Sequence, residues 1–280
     1  MSKIVVGFFA IIMFTVAVAD LASAGPGDPL EGCLGGTNAG ASCVAASECP
    51  GGTCGKLAGF APPTQGGLSC TRYMNKRATV MPLKCTMACA INFAGAISKG
   101  LTYDYDYCEK NWPQFSCQNR YAVALQKLDQ GTCMNCLDDT ARQALYPSYS
   151  AVTATARDQI FCDSNPANTP FPDGHGFVSA QRDVVNCQNK MMRNLMKAAK
   201  CLNLHCHAKL ADLRYWDKPI RTTNAQCEDS DATKSCKAHF DSANAKLSGC
   251  PACVDTAAIW TSFQNGLDLH NGDIYCSDAP

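Results

Sequence analysis

Apolar residues recur at spacings of three and four through the stretches that carry most of the large side chains, which is the periodicity of helices packed on one face. From Cys70 onward, Tyr73, Met74, Val80, Met81, Leu83, Met87, Ala90, Ile91, Ala94 and Ile97 predict a helix, with Pro82 expected to end or kink it near Met81. The stretch from Gln188 to Leu213 has no proline, and Met191, Leu195, Met196, Ala199, Leu202 and Ala208 predict a more continuous helix there. Ser116 and Ser235 are placed to cap helices over Cys117–Leu128 and Cys236–Leu247, with Gly131 and Gly249 as their stops. Further helices are expected from Leu137 towards Phe161, kinked at Pro147, and from Val254 onward. Strict alternation occurs only over Tyr103-Asp104-Tyr105-Asp106-Tyr107, where an ordered loop with its aromatics over the core is favoured against a short strand.

The cysteines order these elements into two similar sets. Cys70, Cys85, Cys89, Cys108, Cys117, Cys133, Cys136 and Cys162 are separated by 15, 4, 19, 9, 16, 3 and 26 positions. Cys187, Cys201, Cys206, Cys227, Cys236, Cys250, Cys253 and Cys276 are separated by 14, 5, 21, 9, 14, 3 and 23. Paired residues between them agree as well: Ser116-Cys117 with Ser235-Cys236, and Ile160-Phe161-Cys162 with Ile274-Tyr275-Cys276. A repeat of this kind takes precedence in reading a chain. The expected architecture is all-α: two tandem disulfide-stapled helical repeats, residues 70–163 and 187–280, each tied by its own cross-links. Cys85 and Cys89, four apart, share a helix face, whereas Cys201 and Cys206, five apart, are expected to be further offset.

Residues 25–64 form a leading Gly/Cys-rich module with Cys33, Cys43, Cys49 and Cys54, too poor in large apolar groups to fold by burial alone. Two bridges should hold it, and their pairing is open. It resembles small Gly/Cys modules of exported proteins, a likeness that names no ligand. Residues 65–69 and the Pro- and Gly-rich stretch 164–186 are expected to be linkers, the second a flexible joint.

Residues 1–24 have the features of a signal peptide: Lys3, the apolar run Ile4 to Ala19, and Ala22-Ser23-Ala24 before Gly25. No later segment is expected to be apolar for long enough to cross a bilayer. Export to an extracellular or periplasmic space would let all twenty cysteines form bridges. The 24 basic and 24 acidic residues balance, so there is no overall field to steer nucleic acid or an anionic membrane.

Candidate chemistry is sparse. Cys250-Pro251-Ala252-Cys253 leads into a helix whose N-terminus would stabilise a thiolate, the arrangement of a redox dithiol. However, Cys133-Met134-Asn135-Cys136 lacks the proline and no parallel unit precedes either pair. His205 and His207 are the weak metal candidates, since two positions on a helix turn them about 200° apart. The other reading makes them ordinary surface histidines. No cofactor is expected. The expected function is a non-enzymatic secreted structural or binding protein, with a place in an extracellular or cell-surface assembly as one form of that duty. A thiol-disulfide oxidoreductase using Cys250 and Cys253 is the alternative, and a metal carrier a weaker one. Binding is assigned to the aromatic loops, Tyr103, Tyr105, Tyr107 and Trp112 together with Tyr215 and Trp216, facing an extracellular protein, a glycan or a second copy.

Overall fold

The structure is a computed structural model describing residues 30, 33–38, 43, 46–54, 59–128, 133–218 and 222–276. The expected signal peptide and the Gly131 helix stop lie outside the described residues. Nine α-helices are described: α1 (Gln65–Met74), α2 (Val80–Ile97), α3 (Cys117–Leu125), α4 (Asp139–Ile160), α5 (Arg182–Lys200), α6 (Ala208–Tyr215), α7 (Cys236–Asn244), α8 (Thr256–Leu269) and α9 (Asn271–Tyr275). Small antiparallel pairs complete the order, β1 (Cys33–Gly35) with β2 (Gly52–Cys54) and β3 (Thr169–Pro170) with β4 (Phe177–Val178). The all-α, disulfide-rich class is thus observed.

Two of the expected linkers are structured. Thr64 caps α1, its hydroxyl accepting from the Gly67 amide at 3.0 Å, so residues 65–69 are the helix's first turn. In the stretch 164–186, Phe171 and Val178 are buried, and Phe171 packs on Phe93, Phe161 and Tyr105 with ring centroids 4.8, 5.1 and 5.7 Å away. Gly176 has φ +92°, and a Cβ there would sit 2.9 Å from the Phe161 Cβ. The flexible joint is therefore a packed segment, because one large apolar residue outweighs the proline and glycine around it.

Pro82 does not end its helix. α1 runs through a π-helical turn, Asn75–Thr79, directly into α2. A proline ring collides with the carbonyl four residues earlier, and the widened turn lies where that carbonyl sits. The proline-free counterpart, expected to be more continuous, also carries a π-helical turn, Cys201–His207, between α5 and α6. The two turns explain the cysteine spacings. The first half places its extra residue ahead of Cys85 and the second half between Cys201 and Cys206, and both sums from the first cysteine to the third equal 19. The wider π-helical turn lets Cys201 and Cys206 share a face, as Cys85 and Cys89 do, and within each pair the sulfurs lie within 4.8 Å of one another; the expected offset is absent. Their partners show it: the Sγ atoms of Cys206 and Cys236 are 3.4 Å apart, those of Cys89 and Cys117 3.6 Å.

Corresponding cysteines bond alike inside the two halves: Cys70–Cys133 and Cys187–Cys250, Cys85–Cys117 and Cys201–Cys236, Cys89–Cys108 and Cys206–Cys227. The remaining two pairs cross between halves, Cys136–Cys276 and Cys162–Cys253. This corrects the expectation of cross-links confined to each unit. Cys136 precedes α4 and Cys253 precedes α8, while Cys162 and Cys276 follow the ends of α4 and α9. Reciprocal bonding therefore places α4 and α8 antiparallel with a bridge at each end. The main helix contacts, α2 with α5 and α4 with α8, likewise run between the two halves.

One core spans both halves, from Met74, Met87 and Phe93 to Met192, Leu195, Trp260 and Phe263, all buried. Burying each such side chain contributes about 1.5–3 kcal/mol. The helix over residues 65–97 contains an 18-residue window long and apolar enough to cross a membrane, contrary to expectation. More than half of that window, 56%, is buried here against neighbouring helices.

The leading module pairs its first cysteine with its third and its second with its fourth, Cys33–Cys49 and Cys43–Cys54. Leu30 is buried in the main core, and the Phe60 amide donates to the Tyr275 carbonyl at 2.9 Å. A Cβ on Gly59, at φ +113°, would lie 2.6 Å from the Tyr275 Cβ, so this close approach requires glycine.

Candidate functional site

Glu109 and Glu228 occupy the same position in the two halves, each immediately after the cysteine that pins its turn. Both turns are π-helical, Tyr107–Asn111 and Gln226–Ser230. Cys108 is bonded to Cys89 and Cys227 to Cys206, which draws each turn onto a long helix and buries the next side chain. Glu109 is 4% exposed and Glu228 0%. A buried carboxylate is costly unless paired and hydrogen-bonded, and the halves treat theirs differently.

Glu228 is enclosed by protein. His207 Nε2 lies 2.6 Å from its Oε1, the Asn224 amide donates to the same oxygen at 2.7 Å, and the Gln264 amide donates to Oε2 at 2.6 Å. Burial would raise the pKa of this carboxyl, but the hydrogen bond and charge of His207 and the two amides hold it below the usual value. His207 is therefore a core residue rather than a surface one. One ligand atom each from His207, Glu228 and Asp268 lie within 4.8 Å of one another. Both carboxylate oxygens of Glu228 are occupied by hydrogen bonds, while His207 Nδ1 is buried without a hydrogen-bond partner among the described residues. His205 is exposed and borders a separate cleft of ≈ 270 Å³ between α5 and α7, so the two histidines share no site.

Glu109 instead lies against an open cleft of ≈ 970 Å³ between α3 and α4. Among the described residues, its carboxylate has one hydrogen bond, from the Ser150 hydroxyl at 2.8 Å. Tyr121, Leu125, Tyr146, Pro147 and Ala151 supply aromatic and apolar lining. The tyrosines are fixed by their hydroxyls: Tyr121 donates to the Arg142 carbonyl and Tyr146 to the Glu109 carbonyl at 3.4 Å. Burial pushes both phenols well above their ordinary range, so they stay donors. The other charged groups of the lining have ionic partners: Lys110 with Asp106, Asp139 with Arg142, Asp173 with Arg157 and His175 with Asp158.

Tyr105 is buried at 1% exposure and cannot serve as a surface contact. Its hydroxyl accepts from Arg157, itself buried, which also pairs with Asp173 and donates from Nε to the His175 carbonyl at 2.8 Å. Arg157 lies over the Tyr105 and Phe171 rings at 5.0 and 4.6 Å. The predicted aromatic loop is thus partly a core anchor. It winds as a helical turn and not a strand, so Tyr103 is half-buried while Tyr107 and Trp112 point outward and stack at 5.6 Å, with Phe115 edge-on to Trp112. Tyr215 and Trp216 meet edge-on, and Trp216 is exposed.

Cys250 and Cys253 are each bonded elsewhere, to Cys187 and Cys162. The redox dithiol is therefore not assembled, and all twenty cysteines are in bridges. Glu109, Tyr146 and Ser150 had no periodic or motif signal of their own. The available signal was the repeat itself, which aligns Cys108-Glu109 with Cys227-Glu228. Comparison with protein-family models, curated proteins and solved structures found no match to this chain.

Proposed function

We propose that this chain is an exported, non-enzymatic binding protein whose cross-linked helices hold the α3–α4 cleft ready for a small ligand. Ten bridges suit an oxidising compartment, and the leader expected over residues 1–24 would deliver the chain to one. The supporting observation is the cleft, whose volume is near the upper end of ordinary small-molecule sites, about 300–1,000 Å³. Bridges at Cys85–Cys117 and Cys89–Cys108 fix two of its walls before any ligand arrives, which lowers the ordering cost of binding. The bonded state of Cys250 and Cys253 argues against the oxidoreductase alternative.

A fragment screen by ligand-observed NMR on the disulfide-intact protein tests this, run beside an Ala151→Trp variant that fills the cleft. Fragments should bind the native protein and lose binding in the variant, while reduction of insulin stays at background. Equal binding by both proteins, no binding at all, or catalysed insulin reduction would each overturn the proposal. A second surface is favoured by the exposed Tyr107–Trp112 stack, which suits contact with a glycan, a partner protein or another copy. Trp112→Ala should then weaken glycan-array binding or self-association in sedimentation; unchanged behaviour in both would discard it.

A further inference from the structure

We infer that the α3–α4 cleft selects an organic ammonium, with Glu109 as the countercharge, deepening and resting on the proposal that the cleft is a ligand site. The two halves provide the comparison. Where Glu228 stands, the protein supplies a histidine and two amides to the buried carboxylate. Where Glu109 stands, the residue aligned with His207 is Ala90, one position after Cys89 as His207 is after Cys206. A methyl side chain cannot neutralise a carboxylate. Glu109 keeps only the Ser150 hydroxyl, and it is the one charged group of the lining without an ionic partner among the described residues.

The missing charge complement lies on the open side. Lys110 and His175, the basic residues of the lining, are held by Asp106 and Asp158, so the cleft has a deficit of positive charge at its most buried acid. An ammonium entering there would meet the carboxylate and the Ser150 oxygen, beside the tyrosine rings, whose faces attract cations. Leu125, Pro147 and Ala151 would cover an attached apolar body. An anion or a neutral compound of the same shape would leave Glu109 uncompensated or face its repulsion, and so would bind less well.

Isothermal titration with 2-phenylethylammonium, its neutral analogue 2-phenylethanol and its anionic analogue 3-phenylpropionate tests the inference on the intact protein. Ammonium affinity should exceed that of the neutral analogue at least tenfold, with no measurable anion binding. Glu109→Gln, which keeps the shape and the Ser150 contact, should erase the preference. Ser150→Lys, at a half-buried position on the cleft wall, should supply an internal cation and abolish ammonium binding even if the Gln variant fails to fold. Equal affinity for the ammonium and the alcohol, or undiminished ammonium binding by either folded variant, overturns the charge selection while leaving the cleft proposal standing. If none of the three compounds binds and the fragment screen is also empty, both fall together; if fragments bind but the ammonium does not, only the charge selection falls.

Discussion

His207 and Glu228 form a hydrogen-bonded pair sealed from solvent, Nε2 to Oε1 at 2.6 Å with both side chains 0% exposed. Removing one member of a buried pair leaves the other uncompensated, which typically costs about 3–5 kcal/mol. His207→Ala should therefore lower the free energy of unfolding by that order, measured by denaturant titration with all bridges intact.

The same pair sets an acid response. Glu228 is held below its ordinary value of 4.5, so its contribution is fully present above that pH and is lost as pH falls through the folded-state value. Denaturation midpoints should drop on acidification below about pH 4.3, the unperturbed glutamate range. Glu228→Gln should start lower at neutral pH and show a shallower fall; an unchanged slope would contradict the assignment.

Cys136–Cys276 and Cys162–Cys253 clamp opposite ends of the antiparallel α4–α8 pair. Replacing Cys136 and Cys276 together by serine should cost about 2–5 kcal/mol. The other end remains clamped, so peptide mapping without reduction should recover the other nine bridges with their native partners. Scrambled pairing would show that the crossing bridge guides folding rather than merely reinforcing the fold.

Arg157 fastens the connection between the halves through Asp173, the His175 carbonyl and the Tyr105 hydroxyl. Arg157→Met keeps much of the packing but leaves Asp173 without its cation and the Tyr105 hydroxyl without its donor. Proteolytic cutting within residues 163–176 should then accelerate at least several-fold. Tyr105→Phe, which removes one hydrogen bond to a charged group, should cost about 1.5–3 kcal/mol.

Ser116 and Ser235 cap α3 and α7, accepting from the Asn119 and Ala238 amides at 3.2 and 3.1 Å. Alanine at either site should cost about 1 kcal/mol. The two effects should add in the double variant, because the caps share no partner. Thermal unfolding of the two single variants and the double variant checks both statements.

The sequence by itself determined what local rules govern: helical periodicity, the serine caps, the two aligned cysteine sets and the position of each glutamate behind its cysteine. Those features depend on residues a few positions apart, or on a pattern repeated along the chain. Only the tertiary structure decided which cysteines cross between halves, that Phe171 packs the supposed joint into the core, and that His207 is buried. Each of these depends on which surfaces meet after α4 and α8 lie antiparallel, a relation between residues as far apart as the 140 positions separating Cys136 and Cys276. The contrast between Glu109 and Glu228 draws on both. His207 and Asn224 serve Glu228 where Ala90 and Tyr105 stand in the other half, and α4 and α8 add to the difference: a hydroxyl beside an open cleft in one half, an amide that helps close a buried network in the other.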